Sequence, residues 1–170
     1  MRTRRRTRHE AAAPLSRYLP AHDGEHWFVR CDAGHRHYGE HGAAGLLLAH
    51  TDALGTTRVL LHHRGQGTHH AGTWGWPGGA VKGGETAEAG ARREAFEETG
   101  YLGFPAASAS YRLDHGGWAY TTFLVRVPRL FEADSTWEGE TAWLTFAEAI
   151  ALPLVPGAKA ALVNLFEEIR

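Results

Sequence analysis

One cysteine, Cys31, is the chain's whole stock of thiol, so no internal disulfide can form and a reducing compartment is the expectation. No sign of charge dominates: 18 Lys and Arg face 19 Asp and Glu, and a net charge of −1 removes any case for bulk binding to nucleic acid or to an anionic membrane surface. An ionic ligand would have to be recognised locally. Long hydrophobic runs are missing too. The stretches around Leu46-Leu47-Leu48 and from Ala147 to Val155 are far too short to span a bilayer. The basic start, MRTRRRTRHE, is followed by no apolar segment, so it does not read as a secretory signal. A cytoplasmic protein without membrane contact is expected. Several chemistries lack their signatures: no Gly-Lys-Ser/Thr closes a Walker A loop, and neither a dinucleotide fingerprint nor a Gly-x-Ser-x-Gly elbow occurs.

What is present suits one mixed α/β domain of 170 residues. Residues 1–22 combine arginine, alanine and proline without periodicity and read as a flexible extension, with the domain over 23–170. Arg2, Arg4, Arg5, Arg6 and Arg8 are expected to be a solvated tail; an arm that grips nucleic acid is the disfavoured alternative. Strands are expected at His26–Cys31, at Gly42–His50 with both faces buried, and at Arg58–Arg64 as its hairpin partner. Further strands are expected at Ala107–Leu113, Trp118–Val127 and Glu140–Phe146. Thr86–Thr99 is the clearest helix, with Thr86 as N-cap, Glu88 in the first turn and Gly100 placed to end it. Short and long helices are expected at Ala147–Ala151 and Ala158–Glu168, the latter carrying an apolar stripe.

The chemistry gathers on the first helix. Glu94, Glu97 and Glu98 stand at i, i+3 and i+4, so one face collects three like charges. That arrangement weakens an isolated helix, and Arg93 offsets only part of it. Hard oxygen donors of this kind suit Mg²⁺ or Mn²⁺. By themselves the acids also read as an ordinary solvated helix face.

The wider spacing goes further. Gly79, five residues, Glu85, seven residues, then Arg93-Glu94-Ala95-Phe96-Glu97-Glu98-Thr99-Gly100-Tyr101 resembles the Nudix box, and every fixed position is met. Trp76-Pro77-Gly78-Gly79 resembles its usual lead-in. Ala95 is small and Tyr101 aromatic where larger aliphatic residues are usual. The resemblance implies an α/β/α sandwich around a mixed β-sheet. It implies a hydrolase in which metal-activated water cleaves a phosphoanhydride in a nucleoside diphosphate linked to another group. A MutT-like nucleoside triphosphate pyrophosphohydrolase and an ADP-ribose or nucleotide-sugar pyrophosphatase fit equally. Glu94, Glu97 and Glu98, with the Gly79 carbonyl, match the ligands of Mg²⁺, or of Mn²⁺. Arg93 matches the arginine that orients the carboxylates, and Glu85 a residue that supports the loop. Gly79 and Gly100 match turn positions that need glycine's backbone freedom. For the general base the order is Glu94, then Glu138, then Glu140, the last two also reading as exposed loop acids. The alternative is a non-catalytic nucleotide-sensing module on the same fold.

Arg64 is a candidate for substrate phosphate and Glu85 for support on the substrate side. Trp76 is a candidate for base stacking, as are Trp74, Trp118 and Tyr120, although core packing is the commoner fate of aromatics in strands. His69 and His70 read as polar loop histidines. Cys31, His35, His37 and His41 gather soft ligands, but the spacing is not a familiar two-plus-two arrangement and a second cysteine is lacking, so zinc is disfavoured. A nucleotide-like small molecule is the expected partner, nucleic acid is not, and a homodimer is compatible with the sequence.

Overall fold

The computed structural model describes residues 18–22, 27–133 and 139–169, and the arginine-rich start of the chain and Glu138 lie outside them. β4 (Ala43–Thr51) is the organising element. Seven consecutive residues, Ala43 to Ala49, are buried, as its unbroken apolar run requires of a strand covered on both sides. β5 (Thr57–His63) returns antiparallel, beginning at the pair Thr51 and Thr57. Asp52 shapes the turn between them, its carboxylate accepting from the backbone N–H groups of Leu54 and Thr56.

On the other side β4 runs parallel to β9 (Ala119–Arg126), and β8 (Ala109–Asp114) pairs antiparallel with β9. β10 (Thr141–Thr145) lies on the far side of β5. The Gly-rich lead-in supplies two short strands that are not among the expected ones: β6 (Trp74–Gly75) on β5 and β7 (Gly78–Ala80) on β4. The result is a mixed seven-stranded sheet in the order β10-β5-β4-β9-β8, with β6 and β7 attached.

Helices cover both faces. α1 (Ala87–Thr99) buries Ala91 and Ala95 against Ala44, Leu46, Leu48, Leu60 and Val125. The small Ala95, completely buried, brings the helix close to the sheet. α2 (Phe146–Ala151) and α3 (Ala158–Ile169) cover the opposite face, where Ala149, Leu162, Leu165 and Ile169 meet Leu47, Val59, Leu61 and Leu124. Successive leucines of β4 thus serve opposite layers, as strand pleating demands.

The helix ends follow their local chemistry. Thr86 caps α1 by accepting from Ala89 N–H, and Gly100 ends it in the left-handed region at φ 67°. Thr145 and Glu148 form a reciprocal capping box on α2. Arg126 donates to the carbonyls of Glu168 and Ile169 at the end of α3. Tyr101, the aromatic in an aliphatic slot, stacks on Phe131 at 4.2 Å between ring centroids.

A second, three-stranded antiparallel sheet comprises β1 (Tyr18–His22), β2 (Trp27–Arg30) and β3 (Arg36–Tyr38). Residues 18–22 belong to the stretch expected as a flexible extension. They instead pair with β2, which satisfies backbone groups that an extension would leave to water. No helix among the described residues is long and apolar enough to cross a membrane.

Leu162 is fully buried between α3 and the sheet, whereas Leu54 is 92% exposed in its turn. Leu162→Ala should cost about 2–5 kcal/mol by urea unfolding, through lost transfer energy plus a cavity. Leu54→Ala should stay within about 0.5 kcal/mol. Equal losses at the two sites would contradict the layer arrangement.

Candidate active site

Arg93 is the centre of the site. Its Nε and Nη2 fork onto the two oxygens of Glu85 at 3.0 and 3.1 Å. Nη2 also donates to the Ala80 carbonyl, and Nη1 donates to Glu94 at 2.6 Å and Glu97 at 3.3 Å. The guanidinium therefore joins the end of β7, the loop before α1 and the helix itself. Glu85 first, and then Glu94, hold Arg93 above its ordinary pKa. Glu85 in turn is held below the carboxylate range, chiefly by Arg93 and further by the Lys82 N–H.

The three box carboxylates share the α1 face but have different surroundings. Glu97 is half exposed and leans on Arg93. Glu98 is buried, accepts from Gly78 N–H at 3.1 Å, and lies 3.7 Å from Nδ1 of the buried His62. Glu94 lies directly over Gly79: a Cβ added there would stand 2.5 Å from the Glu94 carboxyl carbon. Gly79 has no positive φ, so its glycine is required by this close approach rather than by turn geometry, which corrects the sequence-based reason. At Gly100 the expected backbone freedom is the reason.

Beside this face opens a cavity of about 460 Å³, its walls including Arg64, His69, His70, Trp76, Gly79 and Tyr120. Arg64 follows β5, and its Nε donates to the His69 carbonyl at 2.6 Å. The loop closes on itself through Thr73, whose hydroxyl donates to the His70 carbonyl. His70 takes a left-handed φ of 61°, unusual outside glycine. Burial, the adjoining His70 and Arg64 lower the pKa of His69; burial and Arg64 lower that of His70. The tip of this loop meets the small sheet where Phe28 packs edge-on to His69.

The remaining candidates divide. Trp76 is almost fully buried yet forms part of the cavity wall with Trp118 and Tyr120. Trp74 stacks on His63 instead. Glu85 is turned to Arg93 and Lys82 and is not part of that wall, so its surroundings are those of a support for the loop. Glu140 is exposed, and its carbonyl accepts from His63 N–H. Sequence reading passed over His62, which sits beside Glu98. The signal was a polar residue inside an otherwise apolar strand. It also passed over the Tyr120 hydroxyl, raised above its usual pKa by burial and by Glu98.

A family model, the Nudix domain, matches residues 39–166. The chain belongs to the Nudix family. A nucleoside triphosphate pyrophosphatase/Nudix hydrolase fusion protein of Bifidobacterium longum is 44% identical over 102 residues, 58% of this chain; the match spans only 21% of the fusion protein. A Mycobacterium tuberculosis protein provisionally named 8-oxo-dGTP diphosphatase 3 is 39% identical over 151 residues, 84% of this chain and 69% of that protein. Among solved structures, the Nudix hydrolase RenU of M. smegmatis superposes with a TM-score of 0.72 at 34% identity, over 83% of this chain and 92% of RenU. The mixed sheet between helical layers is thus the Nudix fold.

The depressed Glu85 makes the Arg93 fork sensitive to acid. Its contribution is present above the ordinary carboxylate value of 4.5 and is lost as pH falls through the lowered one. Glu85→Gln is expected to lose up to about 1 kcal/mol at neutral pH. By urea unfolding at several pH values, the gap between variant and parent should begin to shrink below 4.5 and close only once the pH has fallen through the lowered value. A gap that persists unchanged in strong acid would assign the loss to packing instead.

Proposed function

We propose that this Nudix protein hydrolyses a phosphoanhydride bond in a nucleoside diphosphate linked to another group, with Mg²⁺ or Mn²⁺ as cofactor. The observation that carries the reading is the juxtaposition of Glu94 with Gly79. A helix carboxylate and a strand backbone meet there at the rim of the cavity, with Glu97 and Glu98 on the same helical face. The donors are hard oxygens, which fit magnesium or manganese rather than a soft metal. A divalent ion held by Glu94, Glu97, Glu98 and the Gly79 carbonyl would neutralise polyphosphate charge and lower the pKa of a water.

The protein's own groups supply the rest. Arg93 fixes the carboxylates before substrate arrives, so their orientation costs little at the moment of reaction. Gly78 N–H holds Glu98 on the helix side of the lead-in, with the His62 ring beside it. Arg64, in the cavity wall, presents a guanidinium suited to phosphate, and Trp76 and Tyr120 offer aromatic surface to a base. Glu94 is the first candidate for general base. Glu140 follows β5 closely through its backbone, and Glu138 lies outside the described residues. The full set of box acids argues against a non-catalytic sensing module, which has no need of them.

The name of the Mycobacterium tuberculosis relative favours 8-oxo-dGTP, and with it other nucleoside triphosphates, as the first substrates to try. ADP-ribose and nucleotide sugars share the same phosphate chemistry and remain the second choice. A panel of nucleoside triphosphates, dinucleotides and nucleotide sugars in Mg²⁺ and in Mn²⁺ tests the reading. Release of pyrophosphate from a triphosphate is the expected result, and hydrolysis of none of them would overturn it. Glu97→Gln should cut turnover by at least about a hundredfold while leaving urea unfolding nearly unchanged. Wild-type turnover of that variant at saturating Mg²⁺ would remove Glu97 from the ligand set. Gly79→Ala, which pushes Glu94 aside, should raise the Mg²⁺ concentration for half-maximal turnover by about 10–100-fold.

A further inference from the structure

Away from the box carboxylates, the turns of two hairpins meet. Cys31, His35 and His37 come from the β2–β3 hairpin, and His115 from the turn between β8 and β9. One ligand atom from each of the four lies within 4.8 Å of all the others, and among the described residues this is the one such set of three or more metal-ligating side chains. We infer that Cys31, His35, His37 and His115 form a zinc site that ties the small sheet to the main one.

The donor chemistry selects the ion. One sulfur and three imidazoles, with no carboxylate, are soft and borderline ligands, unsuited to Mg²⁺ and suited to a tetrahedral Zn²⁺. In such a site the ligand atoms stand about 3.3–3.6 Å apart, from Zn–N and Zn–S lengths of about 2.0–2.1 and 2.3 Å. The observed spread needs only a small contraction. Three imidazole rings are packed here at centroid separations of 4.7 to 6.3 Å. Protonated rings would repel one another at such distances, whereas neutral rings can share a cation. The Nε2 of His37 is enclosed and has no hydrogen-bond partner, an open polar position in the same cluster.

The backbone holds the four ligands in place without help from an ion. Gly34 N–H donates to the Cys31 carbonyl and Cys31 N–H to that of His35, closing the first turn, with Gly34 at φ 82°. His115 N–H donates to the Trp118 carbonyl and closes the second. Asp32 N–H donates to Gly116 across the two hairpins, and a Cβ on Gly116 would collide with the Asp32 side chain at 2.5 Å. His37 stacks flat on Trp118, 3.9 Å between centroids and 8° between planes. His41, the fourth ligand suggested by sequence proximity, is elsewhere: its ring lies 3.5 Å from Glu40 and packs against Gly83. The nearer histidine in sequence is thus replaced by one contributed by a distant hairpin. Four protein ligands leave no open position, so the ion would be structural. It would brace the cavity wall built from His37 and Trp118. The proposal does not depend on the hydrolase reading.

The test uses the full chain without an affinity tag, purified with no added metal and analysed for elements. About one zinc per chain is expected. His115→Ala and Cys31→Ser should lose it, and His41→Ala should keep it. After stripping with a chelator, titration with Co²⁺ should give the visible bands of a tetrahedral site and a near-ultraviolet sulfur-to-cobalt transition. Zn²⁺ should bleach both. Cys31 is buried, so folding of its variant is checked separately; His115 sits in a hairpin turn, and His115→Ala, checked by circular dichroism, decides on its own. Wild-type protein with neither zinc nor a cobalt spectrum would overturn the proposal. So would zinc that survives His115→Ala in a folded chain.

Discussion

The site depends on one guanidinium. Arg93 reaches the Ala80 carbonyl at the end of β7, both oxygens of Glu85 in the loop, and Glu94 and Glu97 on its own helix. Three segments that would otherwise move independently are fixed by five hydrogen bonds from one planar group. The same charge offsets a carboxylate cluster that an isolated helix would resist. A lysine in its place would offer a point charge without the fork and could not hold strand, loop and helix at once.

Around that hub the sequence was readable where the signal is local. The Thr86 cap, the Glu88 charge and the Gly100 stop locate α1 almost to the residue. The leucine run of β4 announces a strand covered on both faces, and the alternation is realised with Leu46 and Leu48 on one layer and Leu47 on the other. What escaped depends on partners distant in sequence. β6 and β7 are short glycine-bearing segments that become strands only because β5 and β4 lie beside them. β3 and β1 likewise exist through pairing with β2. The box itself was legible because its spacing is fixed by one loop and one helix. The need for glycine at position 79 was legible, but its cause was not: the carboxylate that would collide with a side chain belongs to a helix fifteen residues downstream.

The cavity shows the same division. Arg64, His69 and His70 come from the loop after β5, Trp76 from the lead-in, Tyr120 from β9, and Val155 to Ala158 from the approach to α3. Periodicity cannot bring these segments together; only the sheet order can. His62 illustrates the point at the scale of a single contact. It is a polar interruption of β5 in the sequence, and the fold sets it beside Glu98. The acidic cluster therefore extends into the sheet, and its electrostatics include an imidazole that the box motif does not mention.

The parallel pairing of β4 with β9 has a consequence for synthesis. Ala43 to Ala49 find their neighbours Tyr120 to Arg126 only after the intervening hairpin, lead-in, helix and β8 have been made. Such non-local pairing must close a long loop before it is rewarded, which slows folding. A chain emerging from a ribosome would display Leu46, Leu47 and Leu48 without their parallel neighbour until residue 126 was out. The strand that organises the finished molecule is thus also the stretch most in need of shielding while the molecule is being made.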